Sequence, residues 1–282
     1  MRGPGSVVCP ECGRLVEIGE SSCPNCGRWQ PSLFGLAPIL QRTFGTLDVT
    51  SMILWTCVIL YAIALVLDPS AVLGGRGMFS LLSPSFAANA QLGMTGSIYQ
   101  LTFSDGRVVP ALAPWWTNLS AVYLHGGLLH IFFNMLWLRN LGPMLEQEFG
   151  PGRFFILYSV AGIGGFVLSN VFSGAPTVGA SGAIFGMLGA TIVLARAHGG
   201  EWGQVVGQQA MMYAVLLFAF GFISPVVNNW AHGGGFVVGG AMAWIFLRSI
   251  QRAEGPITQI SALLLALGTL ASFVASFVSA RF

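Results

Sequence analysis

The sequence predicts an all-α, polytopic membrane protein preceded by a small zinc-ribbon-like domain. Three observations lead there. Of 282 residues, 54% are apolar and only 8% charged, whereas soluble domains carry about 25% charged residues. Mean hydropathy is +0.73. Seven apolar segments follow one another, each close to the ~20 residues that a membrane helix needs. Four of the five cysteines fall in the first 26 residues.

The elements divide the chain into residues 1–30 (the cysteine-rich module), 31–49 (a linker), 50–250 (a six-helix core) and 251–282 (a seventh helix and tail). The apolar segments run over 50–67, 120–141, 154–173, 180–197, 205–223, 230–249 and 257–279. The polar start has no apolar stretch of the kind a secretory signal requires. Arginine placement sets orientation. With a cytoplasmic N-terminus, the inner set is Arg2, Arg14, Arg28, Arg42, Arg139, Arg153, Arg196, Arg248 and Arg252, and the outer set is Arg76, Arg107 and Arg281. The uncharged links 174–179 and 224–229 suit the outer face. The long segment 68–119 is expected outside as an ordered, partly interfacial loop, with Trp115 and Trp116 at headgroup level. The expectation is an integral protein of the plasma (inner) membrane.

Composition also excludes functions. A soluble α/β enzyme, a secreted disulfide scaffold and a disordered chain do not fit. The formal charge is +2 with no basic run, so a nucleic-acid partner is not expected. All twelve basic residues are arginine. Without lysine there is no Ser–Lys dyad, Schiff base or P-loop. No acid falls deep inside an apolar segment, which removes proton-relay carboxylates and HExxH zinc chemistry.

Cys9-Pro10-Glu11-Cys12-Gly13 and Cys23-Pro24-Asn25-Cys26-Gly27 form two knuckles. Two CxxC pairs at this spacing match a tetrahedral site, with zinc the expected metal and iron its rival. Gly13 and Gly27 permit the tight turn that aims backbone N–H groups at sulfur. Disulfides and a redox dithiol compete; a reducing cytoplasm disfavours the disulfides. A segment this short needs such a staple to fold. Whether it binds a protein partner or simply caps the chain is left open. Cys57 reads as a packing residue.

In charge-free helices the remaining polar groups stand out. Ser181 opens the fourth segment, His232 opens the sixth, and the second carries His125, His130 and Asn134. Alternating topology puts these starts at the outer face. His130 and Asn134 are i, i+4 neighbours, whereas His125 lies about 140° away from His130 around a helix. His198 ends the fourth segment on the inner side and reads as interfacial. Gly182 and Gly186 in one segment, and Gly235, Gly239 and Ala243 in another, form small-residue stripes that let backbones approach. If the stripes face one another, Ser181 and His232 meet as a nucleophile and its base.

These residues resemble the rhomboid intramembrane serine proteases. HxxxxHxxxN (His125, His130, Asn134), GxSG (Gly179, Ser181, Gly182) and AHxxGxxxG (Ala231, His232, Gly235, Gly239) occur in that order. Trp115-Trp116 and the region of Glu146 also resemble the family pattern, and the likeness covers about 50–250. It implies a six-helix rhomboid-like bundle with a Ser181–His232 dyad in a water-filled cavity below the outer surface. It further implies an oxyanion hole from His130, Asn134 and the Ser181 backbone N–H. Gly179 would shape the loop before the serine, and His125 would line the cavity. Phe185, one turn after Ser181, is placed to stack on His232. The substrates implied are transmembrane proteins cut near small residues, with no cofactor for catalysis. Thr117 stands where the family commonly has arginine, which puts the anchoring of the outer loop in question. The seventh helix and the zinc module are additions to the minimal core.

Two other functions compete with an endopeptidase. An inactive rhomboid-like protein that binds transmembrane clients is opposed by the intact Ser181, His232 and Asn134. A transporter is opposed by the lack of intramembrane charge and of an inverted repeat.

Overall fold

In the computed structural model, the described residues are 5–33, 48–69, 82–102, 108–224, 226–248 and 253–279. Arg2, Arg42, Arg76, Arg107, Arg252 and Arg281, and most of the 31–49 linker, lie outside them.

The chain opens with the hairpin β1 (Ser6–Val8) and β2 (Leu15–Glu17), paired antiparallel with Val7 opposite Val16. The helices then follow as α1 (Val49–Leu67), α2 (Phe86–Leu92), α3 (Thr117–Ser120), α4 (Leu128–Phe149), α5 (Pro151–Phe172), α6 (Ser181–His198), α7 (Gly200–Ile223), α8 (Asn229–Leu247) and α9 (Pro256–Ser279). Between α2 and α3 lies a second hairpin, β3 (Tyr99–Thr102) and β4 (Val108–Ala111), within the long segment 68–119. Among the described residues, six helices are long and apolar enough to cross a membrane, and α4 makes a seventh span if joined to the short helical turns before it. The protein is thus an all-α polytopic membrane protein of the predicted class.

One boundary differs from the sequence expectation. The second apolar segment does not start one continuous helix near residue 120. Residues Thr117–Tyr123 lie at 89° to α4, which begins at Leu128. Gly126 and Gly127 interrupt the run, and His125 therefore sits in the turn before α4 and not on it. Glycine is frequent inside membrane helices, so Gly126-Gly127 does not by itself report a bend to a hydropathy reading.

Helix α6 is the centre of the bundle. Thirteen of its residues are buried, and it packs on α4, α5, α7 and α8. A helix buried all round suits its Gly- and Ala-rich sequence, because small side chains admit neighbours on every face. The α6–α8 pair is the tightest. A methyl group on Gly239 would overlap the backbone of Gly186, and one on Gly235 would overlap the Gly182 carbonyl. The two small-residue stripes therefore face one another. By contrast α1, α7 and α9 present large apolar side chains outward, among them Trp55, Phe222 and Leu264, as lipid-facing helices do.

The extra helix α9 packs on α2, α3 and α5. Its Ser272 and Ser276 are buried. Its start meets the N-terminal module through a cluster that the sequence did not announce. Arg28 Nη1 donates to Glu254 Oε2 at 2.8 Å and to Glu11 Oε2 at 2.6 Å. Glu254, with no exposed side-chain surface, also accepts the Arg153 backbone N–H at 2.6 Å. Gly150 and Gly152 at the start of α5 leave room for that carboxylate, since a β-carbon on either would stand 2.9 Å from it. Gln259 of α9 donates to the Trp29 carbonyl at 2.7 Å.

Candidate active site

Ser181 is the first residue of α6, and Ile184 N–H donates to Ala180 O at 2.9 Å. The N–H groups of Ser181, Gly182 and Ala183 precede that bond, so the helix leaves them unpaired at its positive end. The approach to the serine turns at Gly179, whose φ of +133° disfavours any β-carbon. A β-carbon there would also stand 2.7 Å from His130 Nε2. Glycine thus lets the tip of the His130 ring lie against the chain two residues before Ser181. Gly179 N–H donates to Ala121 O at 2.9 Å, which pins the loop.

His130 is the third residue of α4. The Gly126 backbone N–H donates to its Nδ1 at 3.2 Å. An accepting Nδ1 leaves the proton of a neutral imidazole on Nε2, so the nitrogen beside Gly179 is a donor. Asn134, one turn later and buried, donates from Nδ2 to the His130 carbonyl at 2.8 Å. That amide nitrogen carries a second hydrogen. His125 is buried in the turn before α4, its ring edge-on to His130 at 5.1 Å between centroids.

His232 is the fourth residue of α8, whose cap is Asn228. Its ring lies flat on Phe185, with centroids 4.1 Å apart and planes 16° from parallel. His232 Nδ1 is buried and has no hydrogen-bond partner among the described residues, so no acid orients it. Gly182 lies against α8 beside the base: a β-carbon on it would stand 3.3 Å from Ala231 O. Ser181 and His232 are thus each one residue from a backbone contact between α6 and α8. His198 closes the far end of α6, about 26 Å from Ser181 along the helix, with Nε2 3.5 Å from Glu148.

Thr117, at the position of the family's usual arginine, is buried and donates from Oγ1 to Pro114 O at 2.8 Å. Trp115 and Trp116 meet edge to face at 6.1 Å. Sequence reasoning missed a hydrogen-bonded set of amides and hydroxyls near the start of α8, of which Thr95, Asn118 and Ser169 are buried and Asn170, Thr177 and Asn228 half-buried. Only Asn228 carried a legible signal, as an asparagine immediately before an apolar helix.

In the N-terminal module, the sulfurs of Cys9, Cys12, Cys23 and Cys26 lie within 4.8 Å of one another. Cys9 and Cys26 are 3.8 Å apart and Cys12 and Cys23 3.7 Å. These separations are too long for disulfides and close to the edge of a tetrahedron with metal–sulfur bonds of about 2.3 Å. Gly13 and Gly27 have φ of +69° and +77°, and their N–H groups donate to Cys9 O and Cys23 O. The four thiols therefore fit a metal ion. Cys57 is buried in α1, away from them.

A rhomboid domain is matched over residues 113–249. The rhomboid protease GluP of Bacillus subtilis is 38% identical over 129 residues, 46% of this chain and 25% of that protein. RHOMBOID-like protein 1 of Arabidopsis thaliana is 38% identical over 137 residues, 47% of this chain and 34% of that protein. Inactive RHOMBOID-like protein 8 of the same plant is 31% identical over 174 residues, 60% of this chain and 48% of that protein. The matches thus span a quarter to a half of these relatives' lengths. Over residues 113–249 the chain is similar to the rhomboid family.

Proposed function

We propose that this protein is an intramembrane serine endopeptidase that hydrolyses peptide bonds of transmembrane proteins through Ser181 and His232. The observation that supports the reading is the close approach of α6 to α8 at Gly182 and Ala231, the chain neighbours of Ser181 and His232, together with the stacking of His232 on Phe185.

In this reading His232 Nε2 takes the Ser181 hydroxyl proton as Oγ attacks the scissile carbonyl carbon. The carbonyl π electrons move to oxygen, which becomes an oxyanion. His130 Nε2–H, the second Asn134 amide hydrogen and the Ser181 backbone N–H donate to it. Donors fixed in advance stabilise charge that develops only in the transition state. The intermediate collapses, the C–N bond breaks, and His232 returns its proton to the leaving amine. Water then attacks the acyl ester with His232 again as base, and Ser181 is released. With no acid on Nδ1, packing on Phe185 holds the imidazole in place.

Two variants test the dyad. Ser181→Ala and His232→Ala should each abolish cleavage of a transmembrane reporter by purified protein, and the double variant should be no worse than either, because the pair acts as a unit. Cleavage should also fall on acidification, since a protonated His232 accepts no proton. Cleavage retained by Ser181→Ala would overturn the nucleophile assignment. The likeness to a relative named inactive supports a second reading, a non-catalytic protein that binds transmembrane clients. Under it, wild-type protein would bind the reporter without cutting it.

The metal of the four-cysteine module is assigned as zinc in a structural role, with a protein partner for the module a further expectation. The arginine bias supports a plasma-membrane protein with the module in the cytoplasm and the site opening to the outer face. A Glu20→Cys thiol should react with an impermeant maleimide only after the cells are opened; reaction in intact cells would reverse the orientation.

A further inference from the structure

Nucleophile and base come from different helices, so their separation depends on how the start of α6 is held to the start of α8. One side chain spans both. Asn228 Oδ1 accepts the backbone N–H groups of Trp230 and Ala231 at 3.1 and 3.2 Å, capping α8 just before His232. Its Nδ2 donates to Thr177 Oγ1 at 2.9 Å and to Ser169 Oγ at 2.6 Å.

Thr177 lies four residues before Ser181 and is itself fixed. Its hydroxyl donates to Ala175 O at 2.7 Å, which leaves an oxygen lone pair for Asn228. Its backbone exchanges two hydrogen bonds with Thr95, at 2.9 and 3.2 Å. Ser169 is fully buried in the last turn of α5. The amide can therefore take only one orientation, oxygen toward α8 and nitrogen toward the nucleophile loop. Aspartate would keep the cap and lose the donor, while serine would keep a cap acceptor and be too short to bridge.

We infer that Asn228 is a positioning residue of the dyad: one amide ties the loop before Ser181 to the helix that carries His232 and sets their separation. The inference rests on the Ser181–His232 reading above. Small displacements of reacting groups are costly, a misplacement of ~1 Å reaching about 100-fold in rate.

The test uses the full-length protein in detergent and a fluorophosphonate probe. Labelling forms a P–O bond to Ser181 Oγ and breaks the P–F bond; His232 takes the hydroxyl proton and fluoride departs. Ser181→Ala gives the blank. Thr177→Val removes the acceptor hydroxyl while leaving the α8 cap intact, and Asn228→Ser removes the bridge from the other side. Each should lower the saturating labelling rate about tenfold, with the half-saturating probe concentration unchanged. The double variant should be no slower than the slower single one. Thr177→Ser, which keeps the hydroxyl, should label within about twofold of wild type. A merely structural role would lower melting temperature and spare the rate of the folded fraction.

A second readout needs no activity. In Thr177→Val, backbone amides of residues 229–232 should exchange with deuterium about tenfold faster than in wild type, although they lie some fifty residues away in sequence. Wild-type labelling rates in both single variants, losses that multiply in the double variant, or unchanged exchange at 229–232 would each overturn the brace. If wild type and Ser181→Ala label alike, the hydrolase reading fails instead, and exchange alone decides the brace.

Discussion

Asn134 has one amide hydrogen on its own helix, at the His130 carbonyl, and one remaining. As an oxyanion donor, that hydrogen acts in the transition state. Asn134→Ala should then lower kcat by roughly 10²–10³ with little change in KM. As a packing residue it would lower melting temperature and leave the rate of the folded fraction normal, so both quantities measured on one preparation separate the roles. The residue types of the site were legible in the sequence, because a serine, two histidines and an asparagine are rare in charge-free helices. Their states were not. Only the fold brings the Gly126 N–H to His130 Nδ1 and so fixes which ring nitrogen carries the proton. The same is true of Asn228, whose helix-cap signal is visible in sequence while its bond to Thr177 spans 51 positions.

Among the elements, the glycine stripes make the sharpest distinction between neighbours. A β-carbon on Gly239 meets Gly186 backbone, which cannot turn aside as a side chain would. On Gly240, one residue on, it would find only ordinary contacts, the nearest at 3.7 Å. Gly239→Ala should therefore destabilise the bundle by about 1–3 kcal/mol or more. Gly240→Ala should be neutral or stabilising by up to about 1 kcal/mol, because alanine is the better helix former. Thermal melting of the two proteins in the same detergent checks this, and equal melting temperatures would contradict the packing. The stripes themselves were plain in the sequence at four-residue spacing. The bend before α4 was not, since leucine, valine and tyrosine continue the apolar run through it and only Gly126-Gly127 marks the break.

Across the whole molecule, the N-terminal module is joined to the membrane core through Arg28 and Glu254. Burial pushes the Glu254 carboxyl above its usual range, while the Arg28 guanidinium pulls it back. Removing one partner leaves a buried charge uncompensated. Arg28→Ala should cost about 3–5 kcal/mol of the stability of this junction, and Arg28→Ala with Glu254→Ala should recover part of it. A double variant less stable than Arg28→Ala would mean that the pair is not coupled. Metal removal acts on the same junction from the other end. Elemental analysis should find about one zinc per chain, lost in Cys9→Ser plus Cys12→Ser, because metal binding supplies the folding energy of so small a module. Melting temperature should then fall while the Ser181 labelling rate of the folded fraction holds. Loss of labelling in a folded protein would show instead that the module controls the site.

Hydropathy and spacing by themselves determined the membrane class, the apolar segments, the small-residue stripes, the candidate dyad residues and the cysteine cluster. All are periodic or local properties: a span is about 20 apolar residues, a helix face repeats at i+4, and a metal knuckle closes within four residues. The tertiary structure alone decided the seat of α9 against α2, α3 and α5, the docking of the N-terminal module on Glu254, the bend ahead of α4, and the polar brace from Asn228 to Thr177. Each of these joins groups far apart in sequence. A polar side chain looks the same there whether it faces water or a buried partner, and only the packed chain brings that partner within hydrogen-bond reach.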